Sequence, residues 1–216
     1  TVSDVTSPEY GARRAEILEQ LRATNHLVFE TELVARDGRI IPTECSSRLM
    51  DLRGRPAVLS ISRDITERKV AEEALKESLA RTTEVQYGTI QALATVTEAR
   101  DPYTAGHQRR VTQLACAVAR ELGLPADRVA GLQVMGLLHD MGKVSIPAEI
   151  LSKPGKLSDS EFGLIKSHTQ AGYEIVKEIR FPWPVAEVVL QHHERLDGSG
   201  YPQGLKDDEI ILEAKI

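Results

Sequence analysis

The sequence is poor in cysteine. Cys45 and Cys116 are the only two in 216 residues, which rules out a disulfide framework and leaves no paired zinc-finger spacing. A reducing, cytoplasmic setting is therefore expected. Long apolar runs are missing: none approaches the roughly 18 residues of a membrane span, and the first residues carry no signal-peptide pattern. Positive charge is in deficit, with 27 Lys+Arg against 32 Asp+Glu and a net charge of −5. Such a balance gives no general pull toward a nucleic-acid polymer or anionic lipid. Internal repeats and low-complexity stretches are absent too. What remains is 41% hydrophobic and 27% charged, a globular composition in a length that holds one domain or two small ones with a real core. The first residue is Thr1 and the last pattern stops at Ile216, so the chain is expected to be a fragment of a longer protein.

The character of the sequence changes near residue 64. Before it, Leu27–Leu33 and Arg39–Leu49 are short segments divided by the turn dipeptide Asp37-Gly38. A third apolar run, Ala57–Ile61, follows the turn-like Asp51-Leu52-Arg53-Gly54. One helix, about Ala12–Ala23, precedes three antiparallel strands. A sheet this small is thin for independent stability, so further strands or a partner surface are expected. From Asp64 the pattern turns helical, with Asp64 and Glu67 in capping-box spacing. Gly88 is the one glycine and no proline interrupts the stretch to Arg100; Ile65, Leu75, Leu79 and Thr82 fit a heptad, as in a dimeric coiled coil or a solvated linker helix. Four helices follow, about 104–122, 126–139, 158–179 and 184–193, and Ser158 with Glu161 makes a second capping box.

Five of the six histidines fall within 107–193. His107 extends the apolar stripe Val111, Leu114, Val118, Leu122 of the first of these helices. His139 shares a face with Leu132 and Met135, His168 with Ile165, Gly172, Ile175 and Ile179, and His192 with Val185, Val188 and Val189. Each helix thus turns a histidine inward. Any one alone reads as a core histidine bonded to a backbone carbonyl. Four together would each need a partner, because a buried unpaired polar group costs about 1–3 kcal/mol, and a shared metal satisfies them all. Asp140 follows His139 and His193 follows His192; imidazole with carboxylate suits Zn, Mn or Fe. A carboxylate beside a ligating histidine can bridge two ions, and two ions about 3.5–4 Å apart can activate water and clamp the attacking and leaving oxygens of a phosphoryl displacement. Lys143, three residues on from Asp140, can neutralise a phosphate oxygen or protonate a leaving alkoxide. His26 and Cys116 carry no role on this reading.

These residues resemble the HD-GYP family, a branch of the HD metal-dependent phosphohydrolases. His139-Asp140-Met141-Gly142-Lys143 matches the HDxGK signature, and His192 to Pro202 match HHExxDGxGYP at every specified position. Asp101, Thr104, His107 and Arg110-Val111 match the family's first metal-ligand element, and His168 with Gly172 the next. The N-terminal strands resemble the last half of a PAS sensory domain, on Arg36-Asp37-Gly38-Arg39, Pro42, Gly54 and the junction Arg63-Asp64-Ile65-Thr66-Glu67-Arg68.

The resemblance implies an α+β chain in three parts: a partial PAS antiparallel sheet over 1–63, a linker helix over 64–87, and an all-α HD-type bundle over 88–216, truncated at its C-terminal end. It implies hydrolysis of cyclic di-GMP to pGpG or GMP in bacterial signal transduction, under control of the sensor. His107, His139 and Asp140 would hold one divalent ion, with Asp140 bridging to a second held by His168, His192 and His193, and Lys143 acting at the phosphate. Gly198, Gly200, Tyr201 and Pro202 would shape the pocket rim and contact partners such as diguanylate-cyclase-type (GGDEF) proteins. Two departures are visible. The family's next ligand, an aspartate, lies past Glu213-Ala214-Lys215-Ile216, and Tyr103 stands where some members place a glutamate for a third ion, so two ions are expected. A homodimer through the linker helix is expected as well. Two other functions compete: a phosphohydrolase of another nucleotide, and a non-catalytic module that binds cyclic di-GMP or docks a signalling protein.

Overall fold

A computed structural model describes residues 8–100 and 106–216, with residues 8–12 as backbone alone. The chain forms two compact units, Thr1–Thr82 and Thr83–Ile216. Helix α2, Thr66–Glu98, contributes to both.

In the first unit, α1 (Pro8–Thr24) is followed by strands β1 (His26–Val34), β2 (Ile40–Leu52) and β3 (Arg55–Asp64). They form an antiparallel sheet in the order β1-β2-β3. The strands run longer than the apolar segments suggest, because backbone pairing continues through Pro42–Thr43 and through the polar Ser60–Asp64. Arg53 and Gly54 both have positive φ, 57° and 77°, as the two central residues of a type I′ hairpin turn require. Asp51 closes that turn by accepting from the Gly54 N–H at 2.7 Å. Ile17 and Leu21 of α1 are buried, and so are Thr43, Cys45 and Ser47, alternate residues on one face of β2. At the start of α2 the Asp64 carboxylate accepts from the Thr66 N–H at 2.8 Å, and Arg68 and Lys69 pair with Glu30 at 2.5 and 2.6 Å.

The second unit is helical: α3 (His107–Glu121), α4 (Ala126–Leu138), a 3-10 turn (Met141–Ser145), α5 (Ala148–Leu151), α6 (Asp159–Lys166), α7 (His168–Val176), α8 (Val185–Gln191), a second 3-10 turn (Asp207–Glu209) and α9 (Leu212–Lys215). Its core joins Cys116 and Ala119 of α3, Leu132, Met135 and Leu138 of α4, Val176 of α7, and Val185 and Val189 of α8. The Ser158–Glu161 capping box forms as expected. Among the described residues no helix is long and apolar enough to cross a membrane.

Three expectations are corrected. The stretch 158–179 is two helices, not one, with Ser167 between them. The buried face of α3 is Gln108, Thr112, Ala115, Cys116 and Ala119, whereas Leu114, Val118 and Leu122 of the expected stripe are exposed. Ile175 and Ile179 are exposed too, and α7 buries His168, Thr169, Gly172 and Val176 instead. The reason is close helix approach. A Cβ on Gly136 of α4 would sit 2.5 Å from the Thr112 hydroxyl, so only small side chains fit between α3 and α4 and the large ones are left outside.

Candidate metal centre

The histidines sit at helix ends rather than within helices. His139 directly follows α4, His192 directly follows α8, and His168 comes two residues after the end of α6. Carbonyls in the last turn of a helix are short of partners, and each ring uses one of them. His139 Nδ1 lies 2.7 Å from the Gly136 carbonyl, His168 Nδ1 2.7 Å from that of Ile165, and His192 Nδ1 2.8 Å from that of Val189. In all three the carbonyl is three residues back. A carbonyl only accepts, so each Nδ1 carries the hydrogen and donates. The Nε2 of each ring is thereby turned toward Asp140, as a donor to Oδ2 from His139 and with its lone pair available on His168 and His192.

Asp140 is buried, 3% exposed, and its two oxygens face different neighbours. Oδ2 lies 3.3 Å from His139 Nε2 and accepts from Lys143 Nζ at 2.8 Å. Oδ1 lies 3.5 Å from His168 Nε2 and 3.8 Å from His192 Nε2. His168 and His192 bring their Nε2 atoms within 3.2 Å of each other. Ligand atoms of Asp140, His168, His192 and His193 all fall within 4.8 Å of one another, as do those of His107, His139 and Asp140. Two donor sets therefore share one carboxylate. The rings of His107 and His139 are 5.9 Å apart, those of His139 and His192 5.1 Å, and those of His168 and His192 5.2 Å.

Two glycines make this approach possible. On Gly142, in the turn after Asp140, a Cβ would fall 2.8 Å from the His168 carbonyl carbon, and on Gly172 of α7 one would fall 2.6 Å from Val189 Cγ1 of α8. The backbone carrying Asp140 thus lies directly on that of α7, and the Val189 side chain of α8 fills the space over Gly172. Three ligand-bearing segments meet at these two glycines.

Protonation follows from burial and charge. Burial opposes ionisation of Asp140, but the His139 hydrogen bond and charge and the Lys143 ammonium outweigh it and hold the carboxyl well below its usual range. Burial pushes His139 down, yet Asp140 wins and its pKa stands above the ordinary value. For His168 burial dominates and lowers the pKa. His192 falls well below the ordinary value, through burial and then the charge of His139. His193 is pushed down to about 4, by desolvation first and His168 second. His168 and His192 are therefore neutral at pH 7, and their facing nitrogens are both acceptors. Two lone pairs and a carboxylate crowded together are unfavourable alone and suit a cation; imidazole and carboxylate fit Fe, Mn or Zn. The residues present fit a bound metal cation.

The loop after α8 shows what the sequence reading left unassigned. Tyr201 stacks on His193 with ring centroids 4.7 Å apart. Glu194, the carboxylate after the two histidines, points away from the cluster. It accepts from the N–H groups of Gln203 at 2.7 Å, Gly204 at 3.2 Å and Leu205 at 3.0 Å. Its signal was its place in the HHE triplet, but composition alone would make it another ligand. Gly198 and Pro202 lie in the loop that Glu194 closes, while Gly200 packs against the backbone of Glu194 and Arg195. A cavity of about 620 Å³ adjoins the cluster, lined by His139, His192, His193, Arg195, Met135 and Lys215 among others. Asp101, Tyr103 and Thr104 lie outside the described residues.

Comparison with known proteins fits this geometry. Residues 91–216 match the model of the HD domain, and the chain belongs to the HD-domain family. Its relatives include the cyclic di-GMP phosphodiesterase response regulator RpfG of Xanthomonas campestris, 41% identical over 147 residues, or 67% of this chain and 39% of that protein. A cyclic di-GMP phosphodiesterase of Pseudomonas aeruginosa is 46% identical over 117 residues, 54% of this chain and 28% of that protein. The 3'3'-cGAMP-specific phosphodiesterase 1 of Vibrio cholerae is 40% identical over 124 residues, 57% of this chain and 29% of that protein. The chain spans well under half the length of each of these relatives.

Proposed function

We propose that this chain carries the two-metal centre of a cyclic-dinucleotide phosphodiesterase of the HD-GYP branch, with cyclic di-GMP as substrate and pGpG or GMP as product. The observation that carries the reading is the approach of the His168 and His192 Nε2 atoms to 3.2 Å of each other, both facing Asp140. His107, His139 and Asp140 would hold one ion, and Asp140, His168, His192 and His193 the other; bound there, such ions would supply an activated water and offset charge on the phosphate. Lys143 donates to a non-bridging phosphate oxygen, or gives the departing ribose oxygen its proton as the P–O bond breaks. His193 and Tyr201 border the approach with stacked rings.

A relative named as cGAMP-specific supports a second substrate within the same class. The test is metal analysis of the full chain with hydrolysis of cyclic di-GMP and of 3'3'-cGAMP measured side by side, for the parent and Asp140→Ala. Two ions per chain, turnover of cyclic di-GMP and its loss in the variant are expected. Undiminished turnover by Asp140→Ala would overturn the mechanism. Binding of cyclic di-GMP without turnover would favour a sensing module.

The three-part organisation at 1–63, 64–87 and 88–216 belongs to the same proposal, with the N-terminal part as a PAS sensor. A homodimer through α2 is supported by Leu75 and Leu79, which stand four residues apart on that helix and are both exposed.

A further inference from the structure

His107 is held differently from the other histidines. His139, His168 and His192 are each oriented by a carbonyl three residues back. His107 is the first residue of α3, and the residue before it, Gly106, has φ 69° and no side chain with which to cap the helix. The first N–H groups of a helix need acceptors from elsewhere. Here they come from Glu98, the last residue of α2. Its Oε1 accepts from the Gln108 N–H at 2.9 Å and its Oε2 from the Gly106 N–H at 3.3 Å. The two hydrogen bonds fall on the residues immediately before and after His107, and the negative charge faces the positive end of the α3 dipole.

The same end of α2 also reaches the segment that follows Asp140. The buried Thr97 lies against Met141, its hydroxyl oxygen 3.5 Å from Sδ while the hydroxyl hydrogen goes to the Leu93 carbonyl at 3.1 Å, and the Arg100 guanidinium donates to the Ile146 carbonyl at 3.4 Å. Residues on both sides of the His107–His139–Asp140 set are therefore fastened to one helix end. The His168–His192–His193 set is built on α7 and α8 instead.

We propose that Glu98 is the positioning residue of the first ion site, fixing the backbone on either side of His107, a ligand that the second site does not use. The inference rests on the two-ion reading above. It gives Glu98 a defined point of action: its loss loosens His107, while Asp140, which both sites share, keeps its own contact with Lys143.

The test is titration of the chelator-treated full chain with Mn²⁺, followed by calorimetry and electron paramagnetic resonance. The parent protein takes up two ions. Glu98→Ala weakens one site by about 10–100-fold, the usual effect of removing a support behind a metal ligand, and leaves the other unchanged. Glu98→Gln keeps one acceptor oxygen and shows an intermediate loss. His107→Ala weakens the same site, and adding Glu98→Ala to it causes little further loss, the signature of two residues acting as one. If Glu98→Ala does not fold, Glu98→Gln, equal in size, decides by the same measurements. Parent-like uptake by the Glu98 variants, equal weakening of both sites, or additive losses in the double variant would each overturn the role of Glu98. A parent protein that takes up no ion would sink the two-ion reading itself, a distinguishable result.

Discussion

Gly142→Ala tests the geometry of the centre without touching a ligand. The added Cβ would stand 2.8 Å from the His168 carbonyl carbon, and closer still to its oxygen and to the Gly172 nitrogen. All of these are backbone atoms, so no side chain can rotate away. Ordinary contact begins near 3.4 Å, and α7 must retreat by on the order of an ångström to reach it, a strain of about 1–3 kcal/mol. For a unit of this size that lowers the melting temperature of the metal-free protein by roughly 4–12 °C. Metal-ligand distances tolerate only about 0.2 Å, so His168 leaves ligand range and the ion shared by Asp140, His168, His192 and His193 is lost first. The assay is metal content per chain with thermal melts in chelator. Gly163→Ala is the control: Gly163 is an exposed helical residue whose Cβ would meet nothing within 4 Å, so it should gain about 0.4–1 kcal/mol. Two ions and an unchanged melting temperature in Gly142→Ala would refute the claim that backbone contact sets the position of His168.

Lys143→Gln should keep both ions while kcat falls by about 100-fold or more, and an unchanged kcat would remove Lys143 from the chemistry. Metal-free stability should fall between pH 7 and pH 5, read by thermal melts. His168, His192 and His193 are held below the ordinary value, so their contributions are complete above the unfolded pKa near 6.5 and are lost as pH falls toward the folded values. His139 is held above and contributes in the opposite sense, but it is one group against three; a melting temperature that rises on acidification would contradict this balance. Glu194→Gln should speed amide hydrogen exchange at Gln203, Gly204 and Leu205, whose N–H groups the carboxylate accepts, with metal content unchanged. Leu79→Glu should shift the full chain toward monomer in light scattering at micromolar concentration; a parent protein that is already monomeric would dismiss the α2 seam.

The strands, the turns at Asp37-Gly38 and Arg53-Gly54, and the long helix were legible because short apolar runs, turn residues and the absence of proline are local signals. The sequence also foretold that His139, Asp140, His168 and His192 would come together, since a rare residue type recurred on separate helices. It misread the faces of α3 and α7. Leu114 and Val118 are larger and more apolar than Ala115 and Ala119, so periodicity favoured them. The close approach set by Gly136 and Thr112 reversed the choice, and that constraint lies on another helix. The break at Ser167 was hidden for a different reason: the bond that accompanies it, from the His168 ring to the Ile165 carbonyl three residues back, depends on the orientation of a side chain, which periodicity does not report. Glu194 and Glu98 were overlooked because their partners are backbone N–H groups, which have no identity in a sequence.

The two sides of Asp140 are chemically unequal, and that inequality argues for a cation more strongly than the count of histidines does. On the Oδ2 side the structure already supplies positive charge, from the Lys143 ammonium at 2.8 Å and from His139, whose pKa is raised. A proton can serve there. On the Oδ1 side the Nε2 atoms of His168 and His192 face one another at 3.2 Å, and both Nδ1 hydrogens are committed to carbonyls. Burial keeps both rings neutral at pH 7, so a proton does not bridge them. Leaving such acceptors unpaired in a buried site costs about 1–3 kcal/mol each. A divalent ion relieves all three groups at once without requiring any of them to be protonated. The His168–His192 side is thus the one whose charge balance a bound cation would improve, and the close contact at Gly142 and Gly172 holds the segments that carry it together.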